Sequence, residues 1–236
     1  MKTTAKISLM VICFIVCGIL PSLQAQEEAN TAQQTTFGIR TAGITAGWYN
    51  PVMDYWNDTY FKDNDWENDF KGSAYYGAFF DVNIIKNLRA RIGYTYWKET
   101  VKSGDISIGG YTGNEKLAIS LSSISIDAMY NLTFLAFEKV KPYGGIGGNF
   151  VFVQDKLTRN LPDLPGENIK KQGQDFTGNI ILGIERPIIN HLSAGIEFNY
   201  ILGKYIQKIT DDYGNTKNKD VSLSGPKIGI TISYVF

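Results

Sequence analysis

Seven ionisable residues, Asp81, Arg89, Arg91, Asp127, Glu185, Glu197 and Lys227, stand in segments whose neighbours alternate between apolar and polar. Carboxylates and cations kept together on one face can form a salt-bridged network or line a path for solutes, and carboxylates alone can move protons. Acid–base catalysis needs partners that this sequence does not supply. No nucleophile or loop motif accompanies the carboxylates, and Gly144 to Gly148 is not followed by the helix that a dinucleotide fingerprint requires. The single histidine, His191, follows Pro187 in a connection between two alternating segments. A second set lies between Trp48 and Phe70, where Tyr55, Trp56, Tyr60, Phe61 and Trp66 are interspersed with Asp54, Asp58, Asp63, Asp65, Glu67 and Asp69. Rings bury area at low entropic cost and carboxylates steer cations, so this stretch reads either as a binding surface or as aromatic packing of a loop. Asp63 to Asp69 has oxygen ligands at alternate positions but lacks the glycine at the sixth position of a calcium loop, so no dedicated metal site is expected.

The elements that must position these residues belong to a chain of 236 residues, 44% hydrophobic and 19% charged, with 24 Gly, 7 Pro and 2 Cys. That balance excludes a collagen, a long disordered tail and a disulfide-stapled miniprotein, and one domain is the natural prior. The formal charge is zero, which leaves no basic patch for nucleic acid. Lys2 and Lys6 precede an apolar run from Ile7 to Leu20, and Pro21 and a polar stretch follow. Such a run is shorter than the roughly 20 residues a membrane helix needs, and it reads as an export signal over residues 1–25, cut after Ala25. Lipoprotein processing at Cys17 is disfavoured by the bulky Val16 before it. Both cysteines, Cys13 and Cys17, leave with the signal, and thiol catalysis, disulfides and cysteine-ligated zinc leave with them. Residues 26–36 are polar and read as a flexible leader, followed by one domain over residues 37–236.

That domain alternates with period two. Ala74, Tyr76, Ala78, Phe80, Val82 and Ile84 share one face. After a turn at Lys86-Asn87, so do Leu88, Ala90, Ile92, Tyr94 and Tyr96. Asp81 and Arg91 lie at near-equal distances from that turn, which predicts a diagonal cross-strand pair, and Asp127 and Glu185 are expected at a similar height. Further strands run through Ile124 to Leu132, Phe176 to Ile184, Leu192 to Leu202 and Ile228 to Phe236. Leu117, Ile119 and Leu121 are out of phase with Ile124, so a bulge near Ser122-Ser123 is expected to restore a single face. Phe37 to Asn50 is a strand of unreadable phase, and Pro142 to Val153 carries glycines on both faces, as where a strand bends. Together these make eight strands.

The connections also alternate. Those near Lys86, Thr133 to Lys141 and Pro187 to His191 are short or moderate; Pro51 to Gly72, Thr100 to Glu115, Gln154 to Gly173 and Lys204 to Lys219 are longer and polar. Short turns at one end and long loops at the other mark a transmembrane β-barrel with both termini inside the cell envelope. A soluble sandwich or barrel also has period two, but it keeps its apolar side chains within. Aromatics toward strand ends, an ionisable and glycine-rich second face and the export signal favour the inverted arrangement.

Two stretches carry a resemblance: Ile228 to Phe236, alternating and ending in phenylalanine, and Lys141-Pro142-Tyr143-Gly144-Gly145-Ile146-Gly147-Gly148. On these residues the sequence resembles the small eight-stranded outer-membrane β-barrels of the OmpA/OmpX/OmpW type. Ile228 to Phe236, with Ile230, Ile232, Tyr234 and a terminal Phe236, is similar to the signal such proteins present to the barrel insertion machinery. Lys141 to Gly148 is similar to a Pro-Tyr-x-Gly-x-Gly strand opening common in the family. The resemblance implies an outer-membrane location with periplasmic termini and lipid and lipopolysaccharide as neighbours; because the last strand takes up the C-terminus, no appended peptidoglycan-binding domain is expected. It implies location more strongly than activity. A structural or surface-interaction role comes first, with an extracellular ligand unassigned; a narrow gated channel for small or apolar solutes comes second. A lipid-modifying enzyme comes last, because His191 falls at the periplasmic end. No cofactor and no catalytic residue is expected. The family's girdles favour reading the loop aromatics as girdle and mini-core over a binding surface.

Overall fold

The computed structural model describes residues 38–108, 111–137, 139–160, 167–210 and 216–236. The export signal and the leader lie outside the described residues. The strands are β1 (Gly38–Tyr49), β2 (Ser73–Ile85), β3 (Leu88–Lys102), β4 (Ile106–Ile108), β5 (Tyr111–Asn131), β6 (Lys141–Asn160), β7 (Glu167–Ile189), β8 (Leu192–Leu202), β9 (Lys204–Thr210), β10 (Thr216–Ser222) and β11 (Gly225–Val235). Eight of them close a ring in the order β1, β2, β3, β5, β6, β7, β8, β11 and back to β1, every neighbour antiparallel. Closure leaves no unpaired edge, the condition for backbone to cross hydrocarbon. β4 lies against one end of β5, and β9 with β10 forms a hairpin that continues β8 and β11 past the barrel rim.

The alternation is inside out. Ile44, Phe80, Ile92, Ile126, Ile146, Ile196 and Ile230 all face outward and are between 52% and 67% exposed, while Thr41, Asp81, Arg91, Asp127, Thr231 and Ser233 are buried inside. Contiguous exposed apolar surface on this scale needs a solvent other than water. Tyr76, Tyr94, Phe150, Phe152, Phe176 and Tyr200 collect toward the long-loop end, and Tyr234 and Phe236 toward the short-turn end, as a pair of aromatic girdles.

Register settles what periodicity leaves open and corrects several expectations. β1 has an irregularity between Ile39 and Thr41, which is why its phase is unreadable: Ile39 and Ile44, of opposite parity, both face outward. β5 has no bulge at Ser122-Ser123. It pairs with β3 without interruption from Lys116 to Tyr130, and Leu117, Ile119 and Leu121 point into the barrel. The connection after Pro187 is shorter than expected, because Pro187 is still paired opposite Ser193 and the turn is Asn190-His191. Much of the polar stretches at the other end is strand. β5, β6 and β7 run 21, 20 and 23 residues, about twice the 9–11 that cross a bilayer, so the sheet projects beyond the girdle.

Inward glycines make room for large neighbours. A Cβ on Gly43 would stand 2.5 Å from the ring of Phe79, and one on Gly183 would stand 2.4 Å from the ring of Tyr143, each directly opposite across a strand pair. These glycines relieve crowding in the lumen.

Candidate functional site: the filled lumen

The interior is built in two layers of opposite chemistry. Toward the short turns lies an ionic belt. Asp81 and Arg91 are direct cross-strand partners on β2 and β3, rather than the diagonal pair expected. Arg91 donates from Nε to Asp81 Oδ1 at 2.7 Å and from Nη1 to Glu197 Oε2 at 2.5 Å. Arg89 lies 3.4 Å from Asp81 through Nε and donates from Nη1 to Glu185 Oε2 at 3.3 Å. Arg40 closes the chain of charges at 3.9 Å from Glu185. The Tyr143 hydroxyl donates to Glu197 at 3.0 Å, and the guanidiniums of Arg89 and Arg91 lie 4.6 Å and 4.1 Å from the ring centroids of Tyr143 and Phe79. Each carboxylate is thereby shared and each guanidinium of this pair is both paired and stacked, the condition under which buried charge is tolerated.

Asp127 is held by neutral donors, Ser125 Oγ at 3.0 Å and Asn179 Nδ2 at 2.9 Å. Its pairing row contains Gly147 and Asn179, whereas Glu185 stands opposite Lys141, so the two carboxylates lie in different pairing rows. The Lys227 ammonium sits 4.2 Å from the centroid of the Tyr75 ring. The fold therefore brings Asp81, Arg89, Arg91, Glu185 and Glu197 into one network and leaves Asp127 and Lys227 beside it. Arg40 escapes a reading by parity because it lies at the irregularity of β1.

Toward the long loops the lumen becomes apolar. Trp97, Val101, Leu117, Ile119, Leu121, Val151, Val153 and Ile201 face inward from the strands. The first loop descends onto them. Its helical segment, Tyr55–Tyr60 continued by Phe61–Asp63, and the return to β2 bury Trp56, Phe61, Trp66 and Phe70 at 5%, 0%, 7% and 3% exposure. Phe61 stacks on Trp66 with centroids 4.6 Å apart and meets Phe70 at 5.5 Å. Burial agrees with the favoured reading of a loop mini-core, and the placing of Trp56, Phe61 and Trp66 on an extracellular loop surface is corrected. Trp56, Phe61 and Trp66 form a mini-core that stops the barrel mouth, and only Tyr55 and Tyr60 are partly exposed at its rim. The girdle half of that favoured reading is corrected, since these rings point into the lumen and not to lipid. Trp66, in the middle of the acidic run Asp63 to Asp69, also turns inward, and among the described residues no cluster of three or more His, Asp or Glu is placed to hold a metal.

Polar contacts seat this plug. Asp54 Oδ1 accepts from the backbone N–H of Tyr55 at 2.9 Å and of Ser222 at 2.7 Å, and Val52 and Met53 donate to the Ser224 and Ser222 carbonyls. Trp56 Nε1 donates to the Tyr205 hydroxyl at 2.8 Å, and the Tyr49 hydroxyl donates to the Leu223 carbonyl. Asn57 brackets Phe70 with one bond in each direction, and the two oxygens of Glu99 accept from the N–H groups of Lys71 and Gly72 where the loop rejoins β2. Burial, reinforced by the nearby Glu115 carboxylate, pushes the Tyr60 phenol up to about 12, so it stays neutral at physiological pH. Between the layers, two cavities of about 40 and 30 Å³ share Tyr75, Thr95, Asn149 and Lys227 in their walls. They have room for a few ordered waters and not for a continuous column.

His191 lies in the turn between β7 and β8, its Nδ1 3.0 Å from the Val235 carbonyl and its ring stacked on Tyr234 at 5.5 Å. These contacts tie the turn to the last strand.

No family model and no curated protein matches the sequence. Solved structures do. A major outer-membrane protein of Thermus thermophilus matches with a TM-score of 0.50 at 14% identity, over 84% of this chain and 100% of that one. The outer-membrane protein OprG of Pseudomonas aeruginosa matches with a TM-score of 0.50 at 14% identity, over 84% of this chain and 96% of that one. At such identity the likeness is one of fold. The chain is an eight-stranded antiparallel transmembrane β-barrel with the fold of the small outer-membrane barrel proteins.

Proposed function

We propose that this is a non-conducting, non-enzymatic outer-membrane barrel whose role is structural or one of surface interaction, exerted by its outer wall and its long-loop rim. The observation that carries this reading is that the lumen is obstructed twice, by paired charges and by a docked apolar loop. A channel would need both obstructions to move, and the belt contacts are short and shared. In this reading the short turns and both termini face the periplasm, and the exported chain has lost residues 1–25. The outward row Ile230, Ile232, Tyr234 and Phe236 is what the insertion machinery engages, and these residues remain exposed after closure. The surface open to an extracellular ligand is that of the projecting strands with Tyr55 and Tyr60, not the buried rings.

Single-channel recording in planar bilayers tests the proposal. The refolded chain is expected to give no conductance steps. Steps that shift in size or ion selectivity when Asp81 is replaced by Asn would establish a solute path through the belt and overturn it.

A further inference from the structure

Beyond the girdle on one side of the barrel, the outward face of four neighbouring strands carries Lys98 and Lys102 on β3, Lys116 on β5, Lys156 on β6 and Lys170 on β7, all exposed. Their inward neighbours Trp97, Val101, Leu117 and Asp155 are buried, which fixes Lys98, Lys102, Lys116 and Lys156 on the outer wall, and Lys170 shares the face of Lys156, its cross-strand partner. Among the described residues the outward set of these strands beyond the girdle contains no carboxylate, and none of the five lysines is in an ion pair. By contrast Lys62 and Lys204, exposed at the same end, are held by Asp58 and Asp220.

The register makes the arrangement sharper. Lys102 stands directly opposite Lys116, and Lys156 directly opposite Lys170. Opposed cross-strand side chains have Cβ atoms about 5 Å apart, where like charges repel and weaken the sheet. Two such pairs stand on one face, with the small Ala118 opposite Lys156, and an anion lying between them would offset the repulsion. The aromatic ring Tyr94, Phe150, Phe152 and Phe176 lies below on the same strands. Lys98 is two residues past Tyr96 and Lys156 four past Phe152, about 7 and 13 Å along the strand, which is the level of lipid headgroups above a girdle.

We propose that this lysine face binds the phosphate groups of phosphorylated lipids in the leaflet at the long-loop end, clamping the barrel to an anionic lipid layer along the β3 to β7 side. The inference rests on the transmembrane reading above and adds the residues that contact lipid. Lys102 and Lys116 share an open pocket with Glu67 and Asp105, which weaken the field there, so Lys156 and Lys170 form the stronger half.

The test uses the full chain refolded in neutral detergent micelles and titrated with diphosphoryl lipid A or with the same lipid stripped of phosphate. The native chain is expected to prefer the phosphorylated lipid, the preference falling as salt is raised. Lys156→Gln with Lys170→Gln is expected to weaken binding about fivefold per lysine, about 25-fold together at low salt. Lys204→Gln with Lys208→Gln, an equal change of charge on the β9 hairpin, should leave it within about twofold of native. Equal binding of the two lipids by the native chain, or an unchanged affinity in the Lys156/Lys170 variant, would overturn the proposal. Because a micelle has no leaflets and the readout ignores the lumen, failure here leaves the closed barrel standing, and conductance steps would leave the lysine face standing.

Discussion

Arg91→Ala is expected to cost the folded barrel about 3–5 kcal/mol, read by urea unfolding in lipid vesicles. The reason is the company the guanidinium keeps. It is the common partner of Asp81 and Glu197, and it lies over the ring of Phe79. Removing it leaves two carboxylates inside the barrel with one cation, Arg89, that is already shared with Glu185. Alanine also opens a void beside Phe79. Arg91→Lys keeps the charge but cannot bridge two carboxylates with a planar fork, and it should fall between alanine and native. A loss below about 1 kcal/mol for the alanine variant would mean that the belt is solvated like a surface ion pair. The closed lumen would then have lost its lower obstruction.

Phe61→Ala is expected to cost about 3–5 kcal/mol, taken mainly from the seating of the first loop rather than from the sheet. Phe61 is fully buried and is the ring against which Trp66, Phe70 and Tyr60 pack. The loop is fastened to the rim by Asp54 and Glu99 and braced within by Asn57, so its loosening should appear as local opening, with faster amide exchange and protease cleavage between residues 54 and 70 while the strands stay protected. The variant should still not conduct, because the ionic belt below is untouched. A loop that stays as protected as in the native chain would show that Phe61 does not hold the plug.

Much of this architecture is legible in the residues. The strands with one uninterrupted phase, such as β2, β3 and β11, can be read by parity alone, and parity places Asp81, Arg91, Glu185 and Glu197 on the inner face before any geometry is known. Legibility fails where a local irregularity or a tertiary contact changes the rule. In β1 the register slips near Arg40, so parity reverses within one strand and the sixth member of the charge network is lost. In β5 the phase of Leu117, Ile119 and Leu121 reads as a bulge because an apolar lumen is not anticipated. The strand is regular, and it is the lumen that changes character. The inward Leu117, Ile119, Leu121, Val151 and Val153 are themselves the signal that something apolar must descend onto them, and the aromatics at Trp56, Phe61 and Trp66 are the complement. Periodicity describes strands one at a time, and a loop that fills a barrel is a contact between elements far apart in the chain.

The central claim is that lipid meets the apolar face of the sheet and the polar face is sealed within. A nitroxide label placed in turn at each position from Lys227 to Tyr234 of the membrane-embedded protein tests it most directly, by its accessibility to dissolved oxygen, which concentrates in hydrocarbon. Maxima are expected at Ile228, Ile230, Ile232 and Tyr234, with minima at Gly229, Thr231 and Ser233. Maxima at the odd positions instead would mean that the isoleucines line the interior, and that the barrel is a soluble one with its core inside.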